Sequence, residues 1–159
     1  MDTLEIKFLA DYPQAIPILK DLFESEWEPY YGNNGPGDAE SDLASSSNRT
    51  LLPIALIALK EGLVCGTAAL KSQSVTVYPD LSPWLAALVV APKFRKSGIG
   101  SKLIAEIESL AKTLGYVEIY VGVGEKSGLS EDTLLRSDWN FVSERDNYSS
   151  KVKVFRKKF

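Results

Sequence analysis

Apolar and polar side chains alternate through TLEIKFL, residues 3–9, which predicts a first strand. The period then lengthens. Ile16, Leu19, Phe23, Trp27 and Tyr30 recur at three- and four-residue steps, so a helix capped by Asp11 is expected to run to about Tyr31. Pro17 would interrupt this helix unless it starts later. The following stretch, YGNNGPGDAESDLASSSN, is rich in glycine, asparagine and serine and reads as a loop with one short helix near residues 38–46. LPIALIAL and LVCGTAAL flank Lys60-Glu61-Gly62, the pattern of a hairpin between strands at 53–60 and 63–71.

SPWLAALVVA is apolar at successive positions, as a central strand covered on both faces should be, and Pro92 ends it. Ile99, Leu103, Ile104, Ile107, Leu110, Ala111 and Leu114 then define one face of a helix, with Lys102, Glu106, Glu108 and Lys112 on the other. Gly115 closes it, and YVEIYVGV predicts the next strand. Residues 130–137 can form a short helix, after which NFVSERDN and SSKVKVFRKKF read as a closing antiparallel pair. The whole is an α/β order of strands around one β-turn-α unit, without internal repeats.

Composition narrows the chemistry. The 159 residues, 45% hydrophobic and 25% charged, suit one folded domain, residues 1–159. A net charge of −3 argues against nucleic acid as a partner. The sequence has no histidine and one cysteine, which removes Ser-His-Asp and Cys-His catalysis and the usual zinc sites; no metal is expected. Cys65 lies among apolar neighbours and reads as a buried structural thiol. MDTLEIKFLA lacks the character of a secretory signal and no window suits a bilayer, so no membrane association and a cytoplasmic location are the expectation.

The stretch that asks for a ligand is KFRKSGIGSKL, residues 93–103. A strand, a glycine turn and a helix gather unpaired amides at the positive end of a helix dipole, a place suited to phosphate. Gly98 and Gly100 allow close approach and left-handed backbone, and Lys93, Arg95 and Lys96 add charge at the rim. A strand-to-helix turn that merely uses glycine is the alternative. Leu103 stands where a dinucleotide fingerprint needs its third glycine, and no Gly-x4-Gly-Lys-[Ser/Thr] run occurs.

Arg95-Lys96-Ser97-Gly98-Ile99-Gly100 does match the Arg/Gln-x-x-Gly-x-Gly/Ala pyrophosphate motif of the GNAT family of N-acetyltransferases. The block from Trp84 to Val121 resembles that family's fourth strand, third helix and fifth strand, and the likeness extends less specifically over nearly the whole chain. The resemblance implies a GNAT fold, α/β (α+β), with a mixed, mostly antiparallel sheet of six to seven strands and about four helices. It implies acetyl-CoA as the acyl donor, with the diphosphate held by Arg95, Lys96, Ser97, Gly98, Ile99, Gly100 and Ser101 and the pantetheine arm paired to the backbone of Leu88, Val89 and Val90. The acceptor would be a small-molecule amine, a protein lysine or an N-terminus, acylated by direct attack. Dimers through terminal strands are common in the family, so a homodimer is an oligomeric state the resemblance allows.

The chain departs from the family where proton transfer is concerned. The tyrosine that protonates the departing sulfur would fall at Leu134, the strand glutamate that relays the amine proton at Ala86 or Ala87, and a cofactor-contacting asparagine at Ser127 or Ser130. Substitutes are Tyr120, Tyr148 and Glu28 as catalytic groups, and Trp27, Tyr30, Tyr31 and Asp80 as the acceptor wall. For Trp27 and Tyr30 the alternative is the core face of a helix, and for Asp80 a solvated loop carboxylate. The departures also leave open a module that holds acyl-CoA with little or no catalysis.

Overall fold

The protein, seen in a computed structural model, is described over residues 3–32, 35–124, 129–147 and 150–159. Strands β1 (Leu4–Phe8), β2 (Ile54–Lys60), β3 (Leu63–Lys71), β4 (Trp84–Val90), β5 (Glu118–Gly124), β6 (Asn140–Asn147) and β7 (Ser150–Lys158) form one sheet. Their spatial order is β1-β2-β3-β4-β5-β7-β6. β4 and β5 run parallel; every other neighbouring pair is antiparallel. The helices are α1 (Ile16–Glu26), α2 (Ala39–Ser45), α3 (Ile99–Thr113) and α4 (Glu131–Arg136). This is the mixed, mostly antiparallel architecture that the family resemblance implies.

Alternation along β2 shows how the layers are placed. Leu56 and Ala58 pack with Leu103, Ile107 and Ala111 of α3, while Ala55, Ile57 and Leu59 pack with Leu19 and Phe23 of α1 and Leu43 of α2. Successive strand residues face opposite sides, so α3 covers one face and α1 with α2 the other. That double cover is why IALIAL carries no polar interruption. A third cluster, Tyr78, Trp84, Tyr120, Val152 and Val154, is closed over by Val75, Val77 and Leu81 from the segment before β4.

Two boundaries differ from expectation for local reasons. Asp11 does not cap α1: it ends a 3-10 turn, Leu9–Asp11, and pairs with Arg49, and a second turn, Pro13–Ala15, precedes the helix. Pro17 then falls in the first turn of α1, where a missing N–H costs nothing. The helix stops at Glu26 rather than near Tyr31, since Glu28 precedes Pro29 and that position disfavours α backbone. At the other end of the molecule Gly115, with φ 94°, lets the Tyr116 amide fold back on the Ala111 carbonyl at 3.0 Å. β5 therefore begins two residues after Tyr116, at Glu118.

Candidate active site

β4 and β5 pair only at Trp84↔Tyr120 and Leu85↔Val121. Beyond that point β5 continues along β7 as far as Gly124↔Val152, and the ladder between β4 and β5 stops. On its other edge β4 pairs Ala86 with Ala69 and resumes at Val89↔Thr67, leaving Ala87 and Leu88 opposite Ala68 alone. A two-against-one bulge of this kind bends its strand and increases the local twist. Ala87 has φ 53°, in the left-handed region that non-glycine residues seldom occupy. The register slip and the divergence coincide, so the bulge accounts for the opening: β4 turns away from β5 and presents residues 86–90 as a free edge on that side.

The free edge leads through a 3-10 turn, Pro92–Phe94, into the loop before α3. Lys96 (φ 62°) and Gly98 (φ 86°) both adopt left-handed backbone, turning successive N–H groups to one side. Among the described residues, nothing accepts a hydrogen bond from the amides of residues 96–101; the first helical bond runs from the Lys102 amide to the Gly98 carbonyl at 3.1 Å. Six amide donors thus lie in sequence, without an acceptor among the described residues, at the positive end of a 15-residue helix. The loop is held from beneath. Ile99 is buried in the α3 core, and the Ser97 hydroxyl donates to the Phe94 carbonyl. Leu88 and Val90 pack towards α3 and Val89 towards α1, so these three offer a ligand backbone rather than side-chain chemistry. Arg95 is engaged with the protein: its Nε donates to the Val90 carbonyl at 2.9 Å and its Nη2 to Glu26 at 2.9 Å. A cavity of about 210 Å³ begins at Ser101 and continues between α3 and α4, past Ile104, Ala105, Thr133 and Ser137.

On the other face, α1, α2 and their connection come up against the bulge. Ala87 and Val89 belong to the same apolar cluster as Trp27 and Tyr31. Trp27 is half-buried, edge-on to Phe23 with ring centroids 4.9 Å apart; Tyr30 is 54% exposed and edge-on to Tyr31 at 4.8 Å. Trp27 packs against this cluster without being fully buried, while Tyr30 leaves its ring open to solvent. The Tyr31 hydroxyl donates to Asp42 at 2.6 Å, and burial, with that carboxylate behind it, pushes the phenol well above its ordinary range. Glu28 is exposed on the same connection.

Tyr120 and Asp80 lie on the paired side of the point of divergence, Tyr120 one residue from the last β4–β5 pair. Tyr120 is buried in the third cluster, and its hydroxyl donates to Glu118 at 2.5 Å, back along β5 from the point of divergence. Burial first, then Glu118, raise its pKa. Asp80 is exposed in the segment before β4, at the paired end of that strand. Leu134 is buried in the core beside α3, so no acid stands there, and Ser130 caps α4 by accepting from the Thr133 amide at 3.4 Å. Tyr148 and Ser127 lie outside the described residues. The sequence did not disclose the partners Glu26 and Asp42, since a helix-surface carboxylate looks the same whether or not a distant side chain meets it. The bulge at Ala87 was equally silent, because alanine carries no sign of positive φ.

The site is thus a sheet parted at mid-strand, with a free backbone edge running into a loop of unpaired amides. The chain belongs to the GNAT acetyltransferases: residues 19–128 match the profile of the acetyltransferase (GNAT) family. No curated protein sequence gives a significant match. Among solved structures the chain is similar to an aminoglycoside 6'-N-acetyltransferase complexed with coenzyme A, at 18% identity over 98% of this chain and 96% of that one, TM-score 0.76. It is similar to the PaiA N-acetyltransferase of Thermoplasma acidophilum in complex with coenzyme A, at 18% identity over 99% of both chains, TM-score 0.69. A third is yncA of Salmonella typhimurium, solved with its cofactor acetyl-CoA, at 16% identity over 98% of this chain and 93% of that one, TM-score 0.72. At these identities the likeness is one of fold.

Proposed function

We propose that the protein transfers the acetyl group of acetyl-CoA to a primary amine by direct attack. The observation that carries this reading is the run of six amides, residues 96–101, that find no acceptor among the described residues, at the end of the unpaired edge of β4. The residues fit the group: a diphosphate suits the amides, and the amide-bearing pantetheine arm suits the edge at Leu88–Val90. Acetyl-CoA, when bound, supplies an activated acyl carbon and a thiolate leaving group. The coenzyme A and acetyl-CoA complexes among similar folds support the same choice.

The chain's own part is to bind, orient and relieve the amine of its proton. The bulge at Ala87 and Leu88 takes backbone donors out of the regular ladder where the opening begins, and such donors can stabilise a developing oxyanion. Glu28 is the exposed carboxylate on the segment that meets the bulge and is the base we assign; Tyr31 stays protonated and binds rather than accepts. From Asp21 to Asn48 the sequence has seven carboxylates and no lysine or arginine. That wall, with the open Tyr30 ring, suits a cationic acceptor, either a small amine or a lysine side chain.

The test is calorimetric titration with acetyl-CoA, followed by thiol release in the presence of an amine panel. Gly100 has only the Val90 Cγ2 methyl, 3.9 Å away, near an added Cβ, so Gly100→Glu should fold and yet place a carboxylate among the amides. Binding of acetyl-CoA should be lost in that variant with its Tm preserved. Undiminished affinity there would remove the reading.

A further inference from the structure

The Arg95–Glu26 contact joins two parts of the molecule with different tasks. Arg95 is pinned by its Nε to the Val90 carbonyl, which fixes the guanidinium beside the amide loop. Its Nη2 is given to Glu26, the last residue of α1 and 69 positions away in sequence. Glu24 of α1 and Glu106 of α3 are paired within their own helices, with Lys20 and Lys102. Arg95 and Glu26 are 45% and 31% exposed, so the pair is screened, contributes little to stability and is readily exchanged. A diphosphate carries more charge than a carboxylate and suits the planar donor fork of a guanidinium.

We propose that Glu26 competes, from within the protein, with the anion that the loop receives for the guanidinium of Arg95. It occupies the guanidinium of Arg95 in the free protein and is displaced when the diphosphate enters. The proposal rests on the reading above, that residues 95–101 hold the diphosphate of coenzyme A. Glu26 is then a positioning residue, acting through Arg95. It weakens cofactor binding, and its release leaves an unpaired carboxylate one residue before Trp27. Loading the donor side thereby makes the acceptor side more negative, which favours an order in which the thioester binds first and a cationic amine second.

The test compares wild type, Glu26→Gln and Glu24→Gln by calorimetric titration with coenzyme A and with pantetheine, which lacks the diphosphate, at low and high salt. Glu24→Gln removes the same charge from the same helix without touching Arg95. The expected result is that Glu26→Gln binds coenzyme A about two- to fivefold tighter than the other two proteins, the scale of an exposed ion pair. The gain should shrink at high salt, and pantetheine affinity should not change. A mere prop for the loop predicts the opposite sign, so equal or weaker coenzyme A binding by Glu26→Gln overturns the proposal. An equal gain in Glu24→Gln, or a gain for pantetheine, overturns it too. Failure of wild type to bind coenzyme A would bring down the reading of the loop and this proposal with it, and wild type alone reports that outcome.

Discussion

Tyr31 ties the connection between α1 and α2 to the helix that follows it. Its hydroxyl bond to Asp42 is half-buried and charge-assisted, so Tyr31→Phe should cost about 1 kcal/mol at neutral pH, read as a lower urea midpoint. The raised pKa gives a second signature. In the folded protein the phenol holds its proton beyond the point, about pH 10, where the unfolded chain releases it. The stabilisation from this group is complete below about pH 10 and is lost as pH rises towards the folded value. Urea midpoints from about pH 9 to about pH 11 should fall for wild type and fall less for Tyr31→Phe. Some alkaline dependence should survive in the variant, since Tyr120 is shifted in the same direction.

Gly98 and Gly100 were both legible as a turn between strand and helix, and the structure separates their local constraints. Gly98 holds φ 86° with nothing within 4 Å of an added Cβ, so its constraint is conformational. Gly100 has ordinary backbone and ordinary room, so neither conformation nor packing within the described residues requires glycine there. Proton-transfer groups were the least legible. A catalytic carboxylate and a solvated one are the same letter, and the residues that would distinguish them, such as Asp42 beside Tyr31, come from another turn of chain.

Among the elements, the helices and strands with a strong period were read closely: α3 from its apolar face, and β6 to its limits at Asn140–Asn147. α1 was read too long at both ends, because the apolar period of Trp27 and Tyr30 continues through residues that pack without being helical. α2, only seven residues long, cannot stand on propensity and depends on packing and its cap. Asp38 accepts from the Ser41 amide at 3.0 Å, and Leu43 anchors the helix in the cluster with α1. Asp38→Ala should cost about 1 kcal/mol in chemical denaturation. Because α2 also carries Asp42, the same change should weaken acceptor affinity more than acetyl-CoA affinity, which separates the wall from the amide loop.

For the molecule as a whole, the sheet is two leaves, β1 to β4 and β5 with β7 and β6, joined through two register pairs. Backbone amides at residues 86–90 should exchange hydrogen faster than those of β2 and β3, and acetyl-CoA should slow them, as measured by mass spectrometry. Unchanged exchange on loading would mean that the arm does not lie along β4. Net charge is also divided. The segment from Asp21 to Asn48 is strongly acidic, and the rest of the chain carries a small positive balance that leaves the total at −3. Sequence reading anticipated the succession of strands along the chain and the β2–β3 and β6–β7 pairings. It did not anticipate the cause of the opening, a single extra residue at Ala87 and Leu88 set against Ala68.

That extra residue has a consequence for inheritance as well as for geometry. A bulge is a matter of count rather than identity, so conservative changes at Ala87 or Leu88 would leave the parting in place, whereas deletion of either would bring β4 back into step with β3. The repaired strand would lie alongside β5, zip the two leaves together and close the opening. For this protein, a more regular sheet would be a closed one.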